Sequence, residues 1–235
     1  MAMRPGSSSR PSRVAVVLAF AGAAGAAVAL IVVALVFRSD GGTPSPTPMP
    51  GIDLAGIPQD DRVLGASAAS VTLIEYADPQ CPACRFYSEN MFPALVDEYV
   101  KSSRVAMEYR GFPFIGSDSV KALRFVYAAG LQDRLWQLQE ALYRNQGREN
   151  SGWVTDELVR EVASQIPGLD VEKLFVDAAS DGITKEAEDA EAEGGAAGIP
   201  GTPTFLVKVG DGEPSLIQVA DIGDIRAALD DALGG

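Results

Sequence analysis

Apolar residues run without a charged interruption over residues 14–37, whereas beyond residue 59 the pattern breaks into short segments of strand and helix period. The first stretch is 24 residues long, and at ~1.5 Å per residue it makes a helix of about 36 Å, longer than the roughly 30 Å hydrocarbon core of a bilayer. It predicts one transmembrane helix. Residues 39–50 read SDGGTPSPTPMP, too poor in apolar groups to pack and too rich in proline for a helix or central strand. They predict an extended linker that ends near residue 58. A short segment at 62–64 and a buried-type strand at 71–76 follow, then a helix over 82–100 and a strand over 104–109, which together make a βαβ unit. The spacing of Val120, Leu123 and Tyr127, then Leu131, Leu135, Leu138 and Leu142, predicts helix throughout 117–195. Within it Thr155 and Asp170 are placed as helix N-caps, and Phe125, Trp136 and Trp153 as core residues. Strands at 203–209 and 215–219, joined through Gly210-Asp211-Gly212, precede a closing amphipathic helix carrying Ile222, Ile225, Leu229 and Leu233.

Charge orients this layout. Arg4, Arg10 and Arg13 precede the apolar stretch and only Arg38 follows closely, so the positive-inside rule places residues 1–13 in the cytoplasm and the rest outside the membrane. A cleaved signal peptide is the competing reading, since residues 21–29 are rich in small side chains. The apolar run continues well past those alanines with no small-x-small site after it, which favours an uncleaved anchor. The expected location is therefore a single-pass protein of the cell membrane with its folded domain in a periplasm or cell-wall space. At 47% hydrophobic and 22% charged residues the chain is globular in composition. Its net charge is −13 overall and −16 beyond residue 40, a poor match to nucleic acid.

The chemistry concentrates at Cys81-Pro82-Ala83-Cys84, the only two cysteines in 235 residues. They sit where the 71–76 strand gives way to a helix, and a pair so spaced can close a small disulfide whose outer sulfur faces solvent. A structural zinc site needs four protein ligands, and the chain offers two cysteines and no histidine. A purely structural bridge closing so short a loop adds little stability. Redox chemistry is the reading these two do not displace. The acidic run Glu186, Glu188, Asp189, Glu191 and Glu193 alternates with alanines without the ligand spacing of a calcium loop, and reads as a solvated face.

Three separated features resemble the DsbA-type thiol:disulfide oxidoreductases over residues 62–233: the CxxC opening the first long helix, Glu75 six residues before Cys81 on the preceding strand, and Gly201-Thr202-Pro203-Thr204 opening a late strand. The fold this resemblance implies is a thioredoxin fold, α/β, with a helical insertion between the CxxC βαβ half and the cis-proline ββα half. A cysteine at a helix N-terminus has its thiolate stabilised by unpaired N–H groups and the helix dipole, which makes Cys81 the expected nucleophile and Cys84, one turn in, the resolving thiol. Pro82 suits the first helical turn. Strand alternation puts Glu75 on the face of Val71 and Leu73, where burial would raise its pKa and fit it to take the Cys84 proton. The other reading leaves Glu75 half wet at the strand end. Pro203 is the residue that the resemblance makes a cis-proline facing the cysteines, leaving the backbone of Thr202 free to pair with an extended client; Thr202, Pro82 and Ala83 then border the client.

Many strong oxidants of that family carry histidine between the cysteines, and this chain has Pro82-Ala83 and no histidine at all. The expected Cys81 pKa is therefore below the free value of ~8.5 but above the ~3.5 of DsbA, with a potential between about −120 and about −270 mV. The resemblance implies no cofactor beyond the redox-active pair, exported proteins with reduced cysteines as clients, and a quinone-linked membrane thiol oxidase as reoxidant. The leading function is a membrane-anchored dithiol oxidase. A reductase or isomerase of the same fold and compartment, and a chaperone-like binding module with redundant thiols, are the alternatives.

Overall fold

The computed structural model describes residues 53–234. The cytoplasmic segment, the transmembrane anchor and most of the linker expected from the sequence lie outside those residues. Among the described residues no helix is long and apolar enough to cross a membrane. Residues 53–58, expected to be linker, already pack: Leu54 is buried and Ile57 lies against the core, so apolar side chains tie this segment down before the first strand.

A mixed six-stranded sheet forms the centre. Its strands are β1 (Gln59–Asp60), β2 (Val63–Leu64), β3 (Val71–Ala77), β4 (Val105–Gly111), β5 (Thr204–Val209) and β6 (Ser215–Ile217), in the spatial order β1-β2-β4-β3-β5-β6. β3 pairs parallel with β4 and antiparallel with β5, which places the predicted βαβ and ββα halves side by side. β3 is central and nearly all of it is buried, so Val71, Leu73 and Ala77 face the main core while Ile74 and Tyr76 pack on the other side with Phe112 and Ile199. Gly210 turns the β5–β6 hairpin with φ of 51°, a left-handed conformation that glycine adopts without steric cost.

The helix expected over 82–100 is divided. α1 (Pro82–Asn90) ends at Met91, α2 (Phe92–Leu95) follows, and Val96–Val100 form a π-helical turn. Pro93 supplies the reason, having no N–H to continue the ladder and a ring that clashes with the preceding turn.

The insertion comprises α3 (Ser117–Gly130), α4 (Leu135–Arg144), α5 (Asp156–Ser164), α6 (Val171–Ala178) and α7 (Asp181–Ala196). Thr155 Oγ1 accepts from Leu158 N at 3.1 Å and Asp170 Oδ1 from Lys173 N at 3.0 Å, both as N-caps. The continuous helical reading fails between Asn145 and Thr155, which form a loop. The stretch Asn145-Gln146-Gly147 to Ser151-Gly152 is made of residues that satisfy their own backbone in turns better than in helices. On α7, Glu186 pairs with Arg62 and Asp189 with Lys185. α8 (Ile222–Gly234) closes the fold by burying Ile225 and Leu229.

Candidate active site

β3 delivers Glu75 and then the turn Asp78-Pro79-Gln80 ahead of the cysteines. Cys81 occupies the N-cap of α1 in extended conformation, with Pro82 in the first turn, where its missing N–H costs no bond. The Cys81 side chain is not open to solvent as the sequence suggested; the residue is 7% exposed, covered by the 202–203 segment. Its Sγ lies 3.3 Å from the Thr202 carbonyl oxygen, and the Thr202–Pro203 peptide is cis. Cys84, three residues on, is fully buried. Pro82 and Ala83 are exposed beside the pair. The structure thus brings together Cys81, Cys84, Pro82, Ala83, Thr202 and Pro203 from two ends of the sequence.

The two thiols are electrostatically unlike. A hydrogen bond from the Cys84 thiol is the main influence holding the Cys81 pKa down to about 6, against the opposing effect of burial. Thr202 and the backbone N–H groups of Cys84 and Ala83 add to it. Thr202 Oγ1 is itself buried without a partner at normal hydrogen-bond length in the dithiol, which leaves its hydroxyl available to a thiolate. Burial, then the hydrogen bond to Cys81 and its charge, push Cys84 well above the ordinary thiol value. One cysteine is ionised at neutral pH and its neighbour keeps its proton.

Glu75 settles on the buried side of the sequence reading. It is 3% exposed, and burial followed by repulsion from Glu140 raises its pKa to about 8. It sits opposite Phe205 on β5 and Tyr109 on β4.

A second group of residues escaped the sequence reading. The insertion grips the turn before Cys81. Gln146 Nε2 donates to the carbonyls of Pro79 (2.9 Å) and Cys81 (3.2 Å). Gln80 Nε2 donates to Ser119 Oγ at 2.9 Å and Asn150 Oδ1 at 3.1 Å, while Gln80 Oε1 accepts from Asn150 N at 2.7 Å and Trp153 Nε1 at 3.3 Å. Trp153, expected simply as core, is therefore half-buried and also a donor to this network. Asp78 accepts from Ser119 Oγ (2.5 Å), Gln80 N (2.7 Å) and Ile115 N (3.0 Å), and burial raises its pKa despite these bonds. The signal available in the sequence was the polar pair Asp78 and Gln80 between an apolar strand and the cysteines, a place where unsatisfied groups are costly and partners must exist.

Glu140 was missed as well. It lies four residues after Trp136 and three before Tyr143 on α4, between two core aromatics, and is 6% exposed.

Among the described residues no cluster of ligating side chains could hold a metal ion. The chemistry available is that of a dithiol with one low and one high pKa, in a core where a buried acid, Glu75, shares the neighbours Tyr87, Tyr109 and Tyr143 with Cys84.

The chain is similar in sequence and fold to known proteins. A protein-family model described as thioredoxin matches residues 58–216. The probable disulfide bond formation protein D of Bacillus anthracis is 28% identical over 174 residues, covering 72% of this chain and 77% of that protein. The crystal structure of oxidised BdbD from Bacillus subtilis superposes with a TM-score of 0.66 at 23% identity, covering 76% of this chain and 98% of that one. A thioredoxin-like oxidoreductase from Silicibacter pomeroyi gives a TM-score of 0.57 at 29% identity over 74% of this chain and 92% of that one.

Proposed function

The chain belongs to the thioredoxin family and is a protein disulfide oxidoreductase working by dithiol–disulfide exchange, and on that premise we propose that its net reaction is the oxidation of client dithiols, carried by Cys81 and Cys84. The observation that supports this direction is the asymmetry of the pair. A Cys81 pKa near 6 stabilises the reduced form by keeping its thiolate ionised, and a pair whose reduced form is stabilised is an oxidant.

The exchange runs as follows. A client thiolate attacks Cys81 of the oxidised pair; the Cys81–Cys84 bond breaks and its electrons leave on Cys84, which takes a proton because its pKa is high. We assign that proton to Glu75, which is buried and protonated at neutral pH and shares the neighbours Tyr87, Tyr109 and Tyr143 with Cys84. A second client thiolate then attacks the client sulfur of the mixed disulfide, releasing Cys81 as a thiolate and the client as a disulfide. Two electrons pass from client to enzyme. The exposed Pro82-Ala83 dipeptide and the Thr202 backbone border the client, and Pro203 holds the latter peptide beside the sulfurs.

The compartment and partners of this reading rest on the apolar segment at 14–37 and its flanking arginines. They call for a membrane-anchored enzyme with its folded domain outside, and the resemblance to the DsbA-type enzymes adds exported proteins as clients and a quinone-linked thiol oxidase as reoxidant.

The deciding experiment equilibrates the full-length protein with glutathione buffers and traps free thiols at each ratio. A potential above about −180 mV supports the oxidase, whereas one near −270 mV reverses the direction to a reductase fed by a membrane electron donor.

A further inference from the structure

Glycine weakens a fold unless the chain needs either the left-handed backbone it permits or the room its missing side chain leaves. Among the described residues outside helices, Gly201 is the one glycine that meets neither need. Its φ is not positive, and a Cβ built on it would meet no atom within 4 Å beyond its chain neighbours. The contrast with the other loop and strand glycines is plain: Gly65, Gly152 and Gly198 have a positive φ, and a Cβ on Gly111 or Gly147 would run into Leu123 or Trp153. The fold itself would gain from a side chain at 201, because glycine gives up more backbone freedom on folding than any other residue.

Freedom of movement is not what this glycine supplies either. Ile199 is buried against Ile74, Tyr76 and Phe112, Pro200 and Pro203 restrict the backbone on both sides, and Thr204 Oγ1 donates to the Gly201 carbonyl at 2.7 Å. Gly201 is thus held in place one peptide from Thr202, whose carbonyl oxygen lies 3.3 Å from Cys81 Sγ. On the sulfur's own chain the next two residues, Pro82 and Ala83, are exposed and small. The open space at Gly201 lies at the reacting sulfur and not elsewhere on the surface.

We propose that Gly201 is a specificity-determining residue, which keeps a space beside Cys81 for a large side chain next to the client cysteine. In the exchange described above, on which this assignment rests, the client lies along the Thr202 backbone with its cysteine at Cys81. An extended client and the 201–202 segment both advance ~3.3 Å per residue, so the residue flanking the client cysteine comes to lie over Gly201. Any side chain at 201 would fill that place. The clients this favours are extended segments whose cysteine adjoins a bulky apolar residue such as leucine, a pairing common in chains that have not yet buried their cores.

The test reacts the full-length oxidised protein, as wild type, Gly201→Ala and Gly201→Leu, with three reductants in a stopped-flow instrument: glutathione, a dithiol peptide with glycine flanking its cysteines, and the same peptide with leucine in those places. Wild type oxidises the two peptides at comparable rates. Relative to glutathione, the leucine-flanked peptide slows at least about threefold in Gly201→Ala and at least about tenfold in Gly201→Leu. The glycine-flanked peptide slows less in both. The melting temperature of Gly201→Ala equals or exceeds that of wild type, because a methyl group that meets nothing acts only on the unfolded chain. Equal slowing of glutathione and both peptides overturns the proposal and assigns the glycine to backbone motion. Equal slowing of the two peptides alone overturns it too, since the flanking side chain then makes no difference, and unchanged rates overturn it outright. A lower melting temperature in Gly201→Ala removes its premise, that the fold has no use for this glycine. A wild type that oxidises neither peptide nor glutathione overturns the exchange reading itself.

Discussion

Glu75 places a charge-sensitive group at the centre of the sheet, and the cost of that placement depends on pH. Its folded pKa of about 8 exceeds the ordinary 4.5, so between those values the folded protein holds a proton that the unfolded chain has lost. Stability therefore falls as pH rises from about 4.5 through about 8. At ~1.4 kcal/mol per unit the loss is on the order of 3–5 kcal/mol, part of it shared with Glu140. Glu75→Gln cannot ionise and escapes this loss. Urea denaturation of the reduced proteins should show Glu75→Gln gaining on wild type between pH 5 and pH 9; a stability difference that does not change with pH would sink the idea. The Cys81 titration is common to both proteins and cancels. The same buried acid that weakens the fold in alkali is the one proposed above to serve Cys84. Its position was legible in the sequence because alternation along β3 puts Glu75 with Val71 and Leu73, while its burial on all sides depends on elements more than 60 residues away, β5 and α4, which no local pattern reveals.

At the scale of elements, the helical insertion acts on the catalytic turn through the loop between α4 and α5. Gln146 is the clearest contact, spanning the Pro79 and Cys81 carbonyls with one amide nitrogen. Gln146→Ala removes that donor from two partly buried acceptors, for which a loss of about 1–3 kcal/mol is expected. It should also loosen the backbone that aims the Cys81 sulfur. A lower melting temperature with a changed rate of Cys81 alkylation at fixed pH is the expected pair of results. A lower melting temperature alone would show that the loop stabilises the fold without positioning the nucleophile. The helices around this loop were readable from three-and-four spacing and from caps such as Thr155 and Asp170. The loop was not, because helical periodicity was carried across a stretch whose Asn, Gly and Ser content argued for turns. α4 misled in another way: it is buried around most of its circumference, so the apolar stripe Leu135, Leu138 and Leu142 hid the fact that Gln139 and Glu140 are inside too. Pro93 was likewise visible, and its break in the helix after Met91 follows from proline geometry alone.

For the molecule as a whole, the negative charge predicts that strongly acidic clients are disfavoured. Many of its basic side chains are already neutralised by acidic neighbours, as in Arg226–Glu98, Lys121–Asp156, Arg160–Glu172 and Arg62–Glu186. The formal excess of −16 beyond residue 40 comes from 31 acidic against 15 basic residues, so such pairs leave the folded domain strongly negative. Exposed pairs of this kind contribute little stability, but a net field of one sign alters encounter rates. Two reduced peptides that differ only in lysine or glutamate residues flanking the cysteine pair would meet opposite fields at the same sulfur. The lysine peptide should be oxidised faster at low ionic strength. As salt shortens the screening length from about 10 Å at 0.1 M to about 3 Å at 1 M, the two rates should converge. Stopped-flow oxidation across that salt range reads both effects. Equal rates at low salt would mean that the carboxylates are too far from the Cys81 surface to steer, and that client choice lies in the backbone of Thr202 and the apolar surroundings of the pair. Convergence would instead locate selectivity in the association step, leaving the exchange itself indifferent to the charge of the client.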